Sequence, residues 1–191
     1  MKNADLVRLC GTACLIGALL WLAAGSASLL AAFQPGGAMF AAGESLFIVV
    51  QLLLLTGVIG LALSGAAPGL FGGISLGVVL LGRADFVAAE VHTLVTGELS
   101  VLLPLGALIT AVGMTLVGIA VLRAKRWGGW RRLAPLLAGI YPFVAMFPLI
   151  FITSEPSILA IAGWGMPWVL LGYALRSGAH EKQTLHPAPA R

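Results

Sequence analysis

The chain has 191 residues, of which 60% are hydrophobic and only 9% charged, with a formal net charge of +4 and a mean hydropathy of +1.04. Soluble domains carry about 45–50% apolar and about 25% charged residues. This composition therefore excludes an ordinary soluble domain, a disordered chain and a nucleic-acid-binding module. The apolar stretches are too long and too continuous for barrel strands. The expected fold class is all-α, a polytopic membrane protein built as one bundle of six transmembrane helices.

The first span is expected over 6–33. At about 1.5 Å per residue it is about 40 Å long, more than the hydrocarbon core, so it tilts or extends past the lipid. Lys2 and Arg8 precede it, and Gly25, Ser26 and Ala27 offer the small residues of a signal-peptide cleavage site. Apolar sequence continues beyond that site through Leu29, Leu30 and Phe33, which favours a retained span. Cys10 and Cys14, the only cysteines, share a helix face as apolar packing residues.

Gln34-Pro35-Gly36-Gly37 ends the first helix. The second span follows over 44–63, a tight Gly/Pro turn over 64–69, the third span over 70–92 and the fourth over 99–122. Gly69, Gly73 and Gly77 repeat every four residues along the third span, a face that allows close approach of another helix. A basic loop over 123–132 holds Arg123, Lys125, Arg126, Arg131 and Arg132 with Trp127 and Trp130. The fifth span, 133–152, contains Pro135, Pro142 and Pro148, and each interior proline deprives a carbonyl of its helical donor. Ser154-Glu155-Pro156 has the composition of a helix start. The sixth span covers 157–175, and the polar tail 176–191 is expected to be cytoplasmic and disordered.

Orientation follows from the basic residues. With both termini inside, ten of the eleven Lys and Arg residues lie on the cytoplasmic side, all except Arg83. The outer connections carry Glu44, Glu98 and Glu155, with Glu90 at their edge, and no Lys or Arg. This arrangement predicts an N-in/C-in, multi-pass protein of the plasma membrane. No motif recurs between the two halves to support a three-plus-three inverted repeat.

The third span holds the chemistry. Arg83 falls near mid-span, and Asp85 two residues on is about 200° around the helix, so the two cannot pair well. Arg83 shares a face with Glu90, and Asp85 shares the other with His92. Charges at that depth cost about 2.5–3.5 kcal/mol each and should face the bundle interior or water. In the second span Glu44 and Gln51 are also seven apart. Antiparallel pairing of spans two and three brings Gln51 level with Arg83 and Asp85, and Glu44 level with Glu90 and His92. The expected result is one polar column between the two spans. Tyr141, next to Pro142 at similar depth, can offer its hydroxyl to Arg83 or Asp85. Trp164 and Trp168, one turn apart, are expected to pack in the core or wall an apolar pocket.

No phosphate loop, nucleophile elbow, haem-ligand pair or zinc spacing occurs, so neither a cofactor nor a metal is expected and no residue is assigned a catalytic role. Expected partners are the lipid bilayer, with a small-molecule, ion or anionic ligand, and a homo-oligomer or membrane-complex partner left open. Three readings fit these residues. In the first, the chain is a non-catalytic membrane subunit, sensor or assembly factor whose column is structural. In the second, it is a small transporter or permeation protein using Asp85, Arg83 and Glu90. In the third, it is an intramembrane enzyme acting on a lipid or quinone, with Glu90, His92 and Asp85 as acid–base groups.

Overall fold

The structure, a computed structural model, describes residues 3–27, 37–153 and 157–184. The expected end of the first span at 28–33, the break at 34–36, the helix start at 154–156 and residues 185–191 lie outside the described residues. Among the described residues the chain is all-helical. It runs through α1 (Asn3–Ala27), α2 (Ala38–Ser64), α3 (Gly69–Thr96) and α4 (Leu102–Ala124). A 3₁₀ turn (Gly129–Leu133), α5 (Ala134–Tyr141), a π turn (Pro142–Met146) and α6 (Phe147–Thr153) follow, then α7 (Ile158–Gly163) and α8 (Gly165–Thr184). Six helical stretches are long and apolar enough to cross a membrane, the fifth running over Gly129–Leu149 and the sixth over Ile158–Ser177. They suggest a multi-pass membrane protein.

The helices form a closed ring in chain order. Each packs on the next, α4 packs on α5, α5 on α8, and α8 closes the ring against α1. Small residues set these contacts, because without a hydrophobic driving force between apolar helices, close backbone approach supplies the dispersion energy. A Cβ at Gly82 would lie 2.7 Å from the Thr110 amide, and one at Gly113 would lie 2.9 Å from the Val79 amide, which fixes α3 tightly on α4. Gly57 and Gly60 receive Cys14 and Cys10 where α1 packs on α2, and the Cys14 thiol also donates to the Trp168 carbonyl of α8 at 3.6 Å. The Gly69/Gly73/Gly77 face makes no such contact within the chain: nothing lies within 4 Å of a Cβ built at any of the three. The close-approach role belongs instead to Gly82, where the rotation of α3 turns its Arg83 side inward and leaves the glycine face outside.

Turns are tight where left-handed backbone ends a helix. Gly65 (φ 65°) and Gly97 (φ 75°) end α2 and α3, each donating its amide back into the last turn. The end of the bundle near Gly65 is basic and aromatic: Arg126 donates to the Gly65 carbonyl at 3.0 Å, and Trp130 stacks on Tyr173 at 5.8 Å. The helix of the sixth stretch does not stop at 176. It continues to Thr184 through residues that are mostly compatible with helix, so a helix already nucleated by packing extends at little cost.

The fifth and sixth stretches are broken, for traceable reasons. Pro142 has no N–H to give the Ala138 carbonyl, and beyond it the Phe147 amide reaches back five residues to the Pro142 carbonyl, forming the π turn. Between α7 and α8 the Trp164 amide bonds to the Ile161 carbonyl at 3.2 Å, tightening the turn and releasing the Ala160 carbonyl. Side chains fill both gaps. The Trp164 indole donates to the Ala138 carbonyl at 2.8 Å, and the Tyr141 hydroxyl donates to the Ala160 carbonyl at 3.1 Å. The Trp21 indole donates to the Ile161 carbonyl at 2.9 Å. The freed carbonyls are therefore met by neighbouring helices.

Candidate functional site

Arg83 is the centre of the molecule's polar interior. It is 0% exposed, as is Gln51 across the α2–α3 contact. Arg83 Nη1 donates to Gln51 Oε1 at 2.7 Å. The guanidinium carbon lies 4.0 Å from the Trp168 ring centre, 5.4 Å from that of Trp164 and 5.5 Å from that of Phe86. Aromatic faces attract a desolvated cation by about 2 kcal/mol or more. The rings are held by one another: Trp21 meets Phe86 edge-on at 6.5 Å and Trp164 at 6.2 Å, and Trp164 meets Trp168 at 6.5 Å. α3, the α7–α8 junction and α8 thus supply the rings of an aromatic box, α1 braces them through Trp21, and α2 closes it with one amide.

Beyond Gln51, toward the end of the bundle where α3 finishes, Glu90 lies beside Gln51 and Glu44. Arg83, Gln51, Glu90 and Glu44 form a continuous polar column on the facing sides of α2 and α3. In the other direction it stops. Along the same faces come Leu54, Val58, Leu61, Leu76 and Val79, all buried and apolar. The buried Ser75 there spends its hydroxyl on the Phe71 carbonyl of its own helix.

Three of the expected members stand elsewhere. Asp85 faces α4, not α2: its Oδ2 lies 2.8 Å from a Cβ built at Gly106 and makes no hydrogen bond. His92 is exposed on the outer side of α3. Two residues turn a helix by about 200°, so seating Arg83 and Glu90 against α2 directs Asp85 and His92 away from it. Tyr141 does not reach Arg83 or Asp85, because its hydroxyl sits over Gly163 and is committed to the Ala160 carbonyl. Conversely, Trp21, Phe86, Trp164 and Trp168 belong to the site. Their signal in the sequence was aromatic residues at the depth of Arg83 on three different spans, readable only with the helix rotations known.

Four nitrogens of the box carry no hydrogen bond: Arg83 Nε, Arg83 Nη2, Gln51 Nε2 and Trp168 Nε1. The described residues include no group of three His, Cys, Asp or Glu able to hold a metal ion. A separate groove of about 500 Å³, between α4 and the π turn, is lined by Pro104, Leu108, Phe143, Phe147, Pro148 and Phe151. It is wholly apolar and offers no group for chemistry. The chain matches no known family model, no curated protein and no solved structure.

Proposed function

We propose that the chain is a six-span integral protein of the plasma membrane with both ends in the cytoplasm, and that it acts as a non-catalytic membrane subunit, sensor or assembly factor. The orientation rests on charge. The basic residues of 123–132 and Arg176 gather at one end of the bundle, and Glu44, Glu90 and Glu98 at the other. The functional reading rests on one observation: the polar column ends at a fully buried Arg83 and is followed by apolar packing. A column closed in this way suits holding the helices in register or sensing a bound group, and it does not suit passage.

The test is flux. Proteoliposomes of the intact protein should show no conductance or pH-dependent flux of small ions above that of empty vesicles. Flux in the wild type that disappears in Arg83→Met would overturn the reading in favour of transport. That second reading draws support from the broken sixth stretch beside Arg83, since discontinuous helices line transporter sites.

A further inference from the structure

We propose that the box around Arg83 is a binding site for a small monovalent anion of the halide class. This rests on reading the column as a closed binding feature. The site's chemistry is one-sided. Its unpartnered polar atoms are Arg83 Nε, Arg83 Nη2, Gln51 Nε2 and Trp168 Nε1, and all four are donors. They belong to side chains that are 0%, 0% and 1% exposed. They also belong to one cluster: Gln51 touches the guanidinium at 2.7 Å, and the Trp168 ring lies 4.0 Å from its carbon.

Buried donors are nearly always paired, because each one left unmet forfeits its hydration. A guanidinium does not escape by losing its proton. The Gln51 carbonyl oxygen, the acceptor that touches the box, is already spent on Nη1. Glu90 lies beside Gln51 further along α3 and leaves Nε and Nη2 without a bond. An acceptor with a single negative charge would answer the four donors and neutralise Arg83 together. Of the singly charged anions, a halide needs the least room and gives up the least hydration on entering a site otherwise walled by apolar rings.

The experiment uses the intact protein in nanodiscs at constant ionic strength, with sodium chloride or sodium bromide replacing sodium gluconate. The melting temperature should rise saturably with halide, and iodide should quench tryptophan fluorescence with a saturable component. Trp168→Phe keeps the ring beside Arg83 and removes one donor. It should fold, and its halide affinity should fall about tenfold, the worth of one hydrogen bond to a charged group. Gln51→Leu should weaken binding similarly, and Arg83→Met should abolish it. A wild-type melt and fluorescence indifferent to halide would overturn the proposal. So would a halide effect that Trp168→Phe and Gln51→Leu leave unchanged, since the ion would then sit elsewhere. Chloride flux through the wild type would count against the closed column alone, and halide indifference against the anion site alone.

Discussion

Replacing Trp164 by Phe separates the ring from its N–H. The ring packs edge-on with Trp21 at 6.2 Å and Trp168 at 6.5 Å, and the N–H donates at 2.8 Å to the Ala138 carbonyl, which Pro142 cannot serve. Interhelical hydrogen bonds in bilayers average about 0.6 kcal/mol and reach about 1.7 kcal/mol. The Ala138 carbonyl has no helical donor to fall back on, so the upper value applies. The smaller ring loosens the aromatic contacts by about 1 kcal/mol. Trp164→Phe should therefore cost about 2–3 kcal/mol in total. Pro142→Ala supplies the test. Residue 142 already has helical backbone (φ −58°, ψ −38°), so an alanine there points a new N–H at the Ala138 carbonyl. The double variant should recover about 1–1.7 kcal/mol of the loss, read as a double-mutant cycle in reversible detergent unfolding. Strictly additive effects, with coupling below about 0.5 kcal/mol, would refute the assignment of the Trp164 N–H to the proline gap.

Gly82→Ala should destabilise by about 1–3 kcal/mol through overpacking against Thr110, whereas Gly73→Ala, with nothing within 4 Å, should be neutral or slightly stabilising; equal losses at the two sites in thermal melts would contradict the packing described. Asp85→Asn removes a charge whose buried Oδ2 has no partner, so it should accumulate and melt at least as well as wild type. A loss of about 3 kcal/mol or more would instead reveal an ionic partner. In a variant lacking Cys10 and Cys14, single cysteines at Gly128 and Gly97 should label from the inside and the outside respectively, and external labelling at 128 would defeat the orientation.

Depth was legible in the sequence and rotation was not. Counting residues from the span ends placed Gln51 opposite Arg83 and Glu44 opposite Glu90, and those pairs are adjacent in the structure. The same counting put Asp85, His92 and Tyr141 at suitable depths, but depth says nothing about which side of a helix faces which neighbour. The rotation of α3 is set by Gly82 against Thr110 on α4, and any glycine along the helix was an equal candidate for that contact until the partner was known. Tyr141 is diverted by a gap in hydrogen bonding that arises only where α7 meets α8. Pro142 announced a freed carbonyl, while the indole that meets it comes from a residue 26 positions away.

Whether the column ends at Arg83 is decided most directly by cysteine accessibility along α2. Glu44, Gln51 and Val58 lie seven residues apart on one face, and Val58 is 0% exposed, about 10 Å beyond Gln51. In membranes, with Cys10 and Cys14 replaced by alanine, Glu44→Cys should react with an impermeant thiol reagent from the outside. Val58→Cys should resist it from both sides. Labelling of Val58→Cys from the cytoplasmic side would show a water path past Arg83 and contradict the closed column.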